Sequence, residues 1–242
     1  MSILSDMLHD LLAVICPARC LGCGKLLDSK VDWLCIPCRA EMPSTHFHMQ
    51  AENAMWSKIN ALCPSVVNAA GQYYFSHNSL WREVIHAIKY RHSWIAAYKL
   101  GYIYGCELKE SPLYADIDVV VPIPLHWRRL LARRYNQSEL IARGIAAALE
   151  VKIDTRSVRR KRYNDSQVTQ SKEQRWENVK GIFKVVDNKP LANRHLLLID
   201  DVFTTGATMT SCIDAITLAE PTCRISVATL AVSRREVLGL DL

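Results

Sequence analysis

Two adjacent carboxylates close an uncharged run near the C-terminus: Leu196-Leu197-Leu198-Ile199-Asp200-Asp201, followed by Val202-Phe203-Thr204-Thr205-Gly206-Ala207-Thr208. An apolar run of this kind reads as a buried, parallel strand. Past Gly206, the residues Met209, Cys212, Ile213 and Ile216 recur at helical spacing. Strand, acid pair, small-residue loop and helix together make the layout of an α/β ligand site, where binding groups gather at the carboxyl end of a strand. The loop can cradle a phosphate, because the first turn of the next helix offers unpaired N–H groups and the positive end of its dipole. Thr204, Thr205 and Thr208 add hydroxyl donors, and Gly206 lets backbone approach an anion closely. Acids beside such a cradle suit a sugar phosphate, accepting from its hydroxyls directly or through Mg²⁺ and its waters. An ordinary strand-to-helix connection with a chance acid pair is the alternative.

A second group of residues could hold metal. Cys20-Leu21-Gly22-Cys23-Gly24 is followed by Cys35-Ile36-Pro37-Cys38. Two C-x-x-C hairpins supply four thiolates in a tetrahedron, the donor set of a structural zinc, and leave no open position for catalysis. Gly24 suits the tight knuckle turn, and Cys16 stands as a spare or substitute ligand. A redox pair or buried free thiols are the other readings of the same cysteines. Cys63, Cys106, Cys212 and Cys223 sit among apolar neighbours and read as inert core residues.

The basic residues form a third group. Asp118-Val119-Val120-Val121-Pro122-Ile123-Pro124 is a second buried strand, stopped by its prolines. Arg128, Arg129, Arg133 and Arg134 follow, then Tyr135-Asn136-Gln137 and a helix through Leu149. Arginines at the carboxyl end of a strand are placed to hold diphosphate oxygens, or else form a solvated basic face. After strand-like Val151-Lys152-Ile153, residues 156–180 make a long polar excursion containing Arg159-Arg160-Lys161-Arg162-Tyr163. Such an excursion is a functional lid or a disordered segment, and a basic lid could close over an anion.

These groups need elements to position them. Gln72-Tyr73-Tyr74-Phe75 reads as an edge strand, Leu80 to Tyr90 and residues 94–108 as helices, Ile182 to Val186 as a strand, and Ile225 to Val232 as the strand that closes the sheet. Gly101 and Gly105 allow close packing of the second helix. Residues 2–15 place Ile3, Leu4, Met7, Leu8, Leu11, Leu12 and Ile15 on one stripe, an amphipathic helix docked on the body or a membrane-surface anchor. Its acids interrupt any signal-peptide core, and it is too short for a membrane span. The expected domains are 1–42 (amphipathic helix and four-cysteine module), 43–69 (a linker with one short helix) and 70–242 (the α/β domain).

With 242 residues, half of them hydrophobic and 22% charged, the chain suits a soluble α/β domain with a small appendage. A net charge of +6 is a mild excess, which permits nucleic acid or phosphorylated ligands and demands neither. Without export, nine cysteines point to metal or core use in the cytoplasm rather than to disulfides. No Ser-His-Asp pattern, H-E-x-x-H, Walker A loop or G-x-G-x-x-G competes with the acid-pair loop.

Asp200 to Thr208 resembles the phosphoribosyl-diphosphate (PRPP) motif of type I phosphoribosyltransferases. The order of zinc-type cysteines, Val121-Pro122-Ile123-Pro124, Arg133-Arg134-Tyr135-Asn136-Gln137, Gln167…Arg175…Asn178…Phe183 and the acidic motif resembles the ComF family over nearly the whole chain. The resemblance implies a mostly parallel, twisted sheet flanked by helices, with a small N-terminal zinc module whose four ligands are Cys20, Cys23, Cys35 and Cys38. It implies Asp200 and Asp201 as the catalytic acid pair. It implies PRPP contacts from Thr204, Thr205, Gly206, Ala207, Thr208, Arg128, Arg133 and Arg160, with Mg²⁺ bridging diphosphate and ribose. Phosphoribosyl transfer to a nitrogen acceptor would release diphosphate, under a hood drawn from residues before 118. The family's association with natural transformation implies a rival reading, a non-catalytic PRPP-sensing component that handles single-stranded DNA, with Tyr135 and Tyr163 as stacking surface. A further reading is an interaction module for a competence helicase or other DNA-uptake partner, in the cytoplasm or at the inner face of the membrane. Two positions depart from the family. Arg134 stands where glycine is common, so a left-handed backbone is disfavoured there and the turn is expected to differ. Gln170 stands where an apolar residue is usual.

Overall fold

The computed structural model describes residues 19–27, 33–76, 79–90, 93–161 and 181–239. The helices are α1 (Ile36–Ala40), α2 (Ala54–Asn60), α3 (Leu80–Tyr90), α4 (Trp94–Glu110), α5 (Trp127–Arg133), α6 (Gln137–Leu149), α7 (Ala207–Ala219) and α8 (Arg234–Leu238). The strands are β1 (Val66–Phe75), β2 (Val119–Pro122), β3 (Lys152–Ile153), β4 (Val158–Arg160), β5 (Phe183–Val185), β6 (His195–Phe203) and β7 (Arg224–Ser233). The expected stripe at residues 2–15, Cys16, and the excursion from Arg162 to Lys180 with Tyr163 and Gln170 lie outside the described residues.

Five strands form one parallel sheet in the order β1-β7-β6-β2-β3, and β4 and β5 form a separate antiparallel ribbon. An uncharged strand needs cover on every side, and β6 has it: Leu196 to Ile199 are fully buried, with β2 and β7 as neighbours. The order decides where a ligand can bind. From β2 the chain moves outward to β3, then returns to the opposite flank of β2 as β6 and continues outward to β7. The direction of winding therefore reverses between β2 and β6, and the crevice at their carboxyl ends is the switch point where α/β sheets bind ligands. Asp200 and Asp201 lie near the carboxyl end of β6, which stops at Phe203, and Pro122 closes β2, so both site-bearing strands open into that crevice.

Three expectations need correction. Ile225 to Val232 does not close the sheet: β7 lies inside it and β1 takes the edge, pairing with β7 from Ala69 opposite Val227 to Tyr74 opposite Val232. Residues 43–69 do not form a linker. Ser44 bridges Tyr73, Tyr74 N–H donates to Pro43 O at 2.9 Å, and β1 already begins at Val66. Asn53 organises the stretch: its Oδ1 accepts from Met55 N and Trp56 N to cap α2, and its Nδ2 donates to Ala69 O at 2.7 Å. Met55 and Ile59, one helical turn apart, are then fully buried. Of the four cysteines read as core, Cys63 and Cys212 are buried, whereas Cys106 is exposed on α4.

The glycine expectation holds. α4 packs on α6, and α6 packs on β2 and β6. A Cβ on Gly101 would lie 2.1 Å from Ile141 O, and one on Gly144 would lie 2.2 Å from Tyr98 O. Backbone therefore meets backbone at this crossing, which no side chain can share. Gly144→Ala is expected to destabilise the protein by about 2–3 kcal/mol or more, because the obstacle is carbonyl rather than a movable side chain. Urea unfolding checks this, and an unchanged midpoint would contradict the packing. Among the described residues, no helix is long and apolar enough to cross a membrane.

Candidate functional site

Two walls and a floor enclose a cleft of about 310 Å³ at the switch point. That volume sits at the small end of ligand pockets and fits a sugar phosphate. The floor is Asp200, Asp201 and Val202 at the end of β6. One wall is the loop into α7, with Thr204 and Thr208 facing the cleft and Thr205, Gly206 and Ala207 lining an adjoining hollow. The other wall is basic, built by Arg129, Arg133 and Arg160, with Phe75, Ile85 and Lys89 arriving from β1 and α3.

The acid pair is held asymmetrically. Asp200 Oδ1 accepts from Ser138 Oγ at 2.9 Å and from the Asp201 N–H at 2.9 Å. Asp201 is 6% exposed, and its Oδ2 lies 2.8 Å from Lys89 Nζ. Burial, reinforced by the neighbouring Asp201 charge, pushes the Asp200 carboxyl up to about 6, against the pull of its hydrogen bonds and of Lys89. The donor set, two carboxylates near the N-terminus of α7, fits a hydrated Mg²⁺ arriving with a phosphorylated ligand.

Gly206 shapes the loop into α7. It takes a left-handed conformation, φ 82°, as the residue that starts α7, and a Cβ there would also press on the Phe203 ring at 3.1 Å. The N–H of Thr210 is the first to find a helical partner, Gly206 O, so the preceding N–H groups of α7 open toward the loop. Ala207 N–H leans on Thr205 Oγ1 at 3.4 Å.

The basic wall depends on one turn. Buried His126 caps α5 by accepting from Arg128 N–H, and Arg134 ends the helix with φ 67°. Arg134 is therefore left-handed after all, and the turn keeps the form that glycine would give it. The strain is offset locally, since Arg134 N–H donates to Leu130 O at 2.7 Å and the side chain is free to point into solvent. The chain then enters α6 through Asn136, which caps it and donates to Ile123 O, just past the end of β2. Tyr135 OH donates to Ile88 O, tying this turn to α3.

This geometry sorts the expected arginines. Arg133 lines the cleft, stacked on Tyr90 with its guanidinium 4.9 Å from the ring centre. Arg160 lines it from β4, resting on Phe183; burial and Arg129 lower its basicity while Asp200 supports it, and its Nε has no hydrogen-bond partner among the described residues. Arg128 does not line the cleft: it lies over Trp127 at 5.4 Å, and Arg129 takes the place expected for it. Lys89 and Ser138 were not among the expected site residues. A cation directly after the buried Ile88 was the available signal for Lys89; none pointed to Ser138.

The second candidate centre is the cysteine cluster. The sulfurs of Cys20, Cys23, Cys35 and Cys38 all lie within 4.8 Å of one another, and Cys23 and Cys35 are 3.7 Å apart. A tetrahedron with zinc–sulfur bonds of about 2.3 Å has edges of about 3.8 Å, so the donor set is compatible with structural zinc. Gly24 N–H donates to Cys20 O, closing the first knuckle, and Cys35 N–H points at Cys20 Sγ. Burial opposes ionisation of Cys20, yet N–H groups of Cys23, Cys35 and Gly22 bring the thiol down to about 6.

At the opposite end of the sheet, Asp116 Oδ1, His195 and Ser226 Oγ line up with 2.8 Å on each side of the imidazole. This has the connectivity of a nucleophile triad, but Ser226 is 0% exposed inside β7, so it clamps the strand ends and reaches no substrate.

Residues 136–238 match the phosphoribosyl transferase domain family. The chain is 35% identical to DNA utilization protein YhgH of Escherichia coli (strain K12) over 92 residues, 38% of this chain and 40% of that protein. It is 30% identical to Competence protein F of Haemophilus influenzae over 93 residues, 38% of this chain and 41% of that protein. The matches thus span about two fifths of the length of these relatives. The structure of glutamine phosphoribosylpyrophosphate (PRPP) amidotransferase from B. subtilis, complexed with ADP and GMP, aligns with TM-score 0.41 and 16% identity, over 60% of this chain and 30% of that one.

Proposed function

We propose that this chain, a ComF-like protein of the type I phosphoribosyltransferase family, binds PRPP in the cleft between β2 and β6 and transfers its phosphoribosyl group to a nitrogen acceptor. The carrying observation is that the acid pair, the hydroxyl loop at the start of α7 and three arginines meet in one cleft. The 5′-phosphate would rest on Thr204 to Thr208 and the first turn of α7, where N–H groups and hydroxyls converge. Ribose hydroxyls would donate to Asp200 and Asp201. Arg129, Arg133 and Arg160 would take the diphosphate. In the transfer, the bond from the anomeric carbon to the diphosphate oxygen breaks with its electron pair leaving on diphosphate. The acceptor nitrogen forms the new bond and loses its proton to solvent. Mg²⁺, when bound with PRPP, supplies charge neutralisation for the leaving group. The protein's own contribution is positioning and fixed positive charge. Incubation with PRPP, Mg²⁺ and a panel of nucleobases and simple amines, followed by diphosphate assay, tests transfer; acceptor-dependent diphosphate release is the expected result.

Cys20, Cys23, Cys35 and Cys38 would hold a structural zinc, and the free cysteines suit a reducing cytoplasm. The names of the relatives support a role in DNA uptake or use.

One observation favours a second reading, a PRPP-responsive component that handles single-stranded DNA. Arg128 lies over Trp127, which is 57% exposed, and neither residue lines the cleft. A cation stacked on an exposed indole suits a phosphate-and-base strand. Under this reading, single-strand binding falls steeply with salt, and Arg128→Gln with Trp127→Ala flattens the slope.

A further inference from the structure

Lys89 occupies an unusual place for a lysine in an anion-binding cleft. It is the penultimate residue of α3, with its ammonium 2.8 Å from Asp201 Oδ2, the second acid of the pair. That oxygen is buried and has no hydrogen bond of good geometry among the described residues, so the Lys89 charge is what offsets it. The lysine is not there by chance of rotamer alone. Ile85 and Ile88 bury α3 against the core, Tyr135 OH donates to Ile88 O, and Arg133 stacks on Tyr90, so the last turn of α3 is fastened on both sides of Lys89.

A divalent ion needs the same oxygen. Whether held directly or through its waters, magnesium would approach that oxygen where the ammonium already sits at hydrogen-bond distance. The remaining charges act the same way: Lys89, Arg129, Arg133 and Arg160 face two carboxylates across the cleft, so a free dication enters a site with excess positive charge, whereas a polyanion enters a favourable one.

We propose that Lys89 is a fixed counter-cation of Asp201, which keeps divalent metal off the acid pair until a phosphorylated ligand brings the metal with it. The proposal rests on the reading of Asp200 and Asp201 as the ribose and metal acids of a PRPP site. Lys89 is a positioning residue: it sets the order of binding rather than touching the reacting carbon. The order follows from electrostatics, since the ligand's own phosphates supply the negative charge that the dication lacks in the empty cleft.

Titration of Mn²⁺ into the full chain without PRPP, followed by electron paramagnetic resonance of the free ion, tests this. Lys89→Met keeps the length of the side chain and removes the charge, and Lys89→Arg keeps the charge. Mn²⁺ is expected to bind the acid pair of Lys89→Met at least about tenfold more tightly than that of wild type or Lys89→Arg. Adding Asp201→Asn to Lys89→Met is expected to return the affinity to the wild-type value, which also separates a metal effect from damage to α3. Equal Mn²⁺ affinity in wild type and Lys89→Met, with both folded by circular dichroism, would overturn the proposal. If no variant bound PRPP, the reading of the cleft would fall instead, and the Mn²⁺ titration would still decide the role of Lys89.

Discussion

Exchange of both acids for amides, Asp200→Asn with Asp201→Asn, is expected to weaken PRPP binding in the presence of Mg²⁺ by at least about a hundredfold. Each carboxylate offers charge-assisted hydrogen bonds to ribose hydroxyls or to metal-bound water, worth about 1.5–3 kcal/mol apiece, and an amide keeps the shape while losing the charge. The fold should survive. Asn at 200 can still accept from Ser138 Oγ and from the N–H of residue 201, the two bonds that orient the wild-type carboxylate. The pH dependence sharpens the test. Asp200 titrates near 6 in the folded protein, raised by burial and by Asp201 from the usual carboxylate range. Between about pH 4 and pH 6 the folded state thus holds a proton that the unfolded state has lost, so stability through Asp200 falls as pH rises across that window. Asp200→Asn removes this slope. Ligand binding has the opposite sign, because the charged form is the one that binds, so affinity should fall as pH drops through about 6. PRPP's own phosphate titrates nearby, and the part of the pH profile that disappears in Asp200→Asn is the part belonging to the protein.

Loss of one cysteine ligand should have the largest effect on stability. Cys38→Ser, or chelation of the wild type, is expected to release bound metal and to unfold the segment around residues 19–40. Structural zinc contributes apparent binding energies on the order of 10–16 kcal/mol in small modules, far more than such a segment can supply by itself. Damage should spread beyond the module, because Trp33, Leu34 and Cys38 are buried in the same apolar core as the sheet. Elemental analysis should find about one zinc per chain in wild type and almost none in Cys38→Ser, with a clear drop in Tm. Purified wild type with neither zinc nor iron would remove the metal from the account.

What the sequence revealed depended on how much chain a feature needs. The β6–loop–α7 unit is one continuous segment, so its buried strand, its acid pair near the strand end and the left-handed Gly206 ahead of the helix can be placed without help from elsewhere. The cysteine cluster is similarly local, since two hairpins carry all four sulfurs. The choice among arginines was not legible. Whether Arg128 or Arg129 faces the cleft depends on the phase of α5, and that phase is set by His126, a capping histidine whose burial shows only in three dimensions. Arg134 shows the limit of a local rule: the αL position is disfavoured for a residue with a Cβ, yet the exit toward Tyr135 and the Ile88 carbonyl demands it. The mistaken linker had a readable cue in Asn53, followed by Met55 and Ile59 at helical spacing. Lys89 had none strong enough, because its partner lies on a strand far along the chain. For the same reason the Asp116–His195–Ser226 clamp cannot be read from spacing.

The central claim is a Mg²⁺-dependent PRPP site at the end of β6. Isothermal titration of PRPP into the zinc-loaded full chain, with and without Mg²⁺, tests it most directly. One site per chain is expected, with binding that strengthens with Mg²⁺ and is lost in Asp200→Asn with Asp201→Asn. No binding at millimolar PRPP, or equal binding by that variant, would contradict it and leave the loop as a scaffold for the DNA-handling reading.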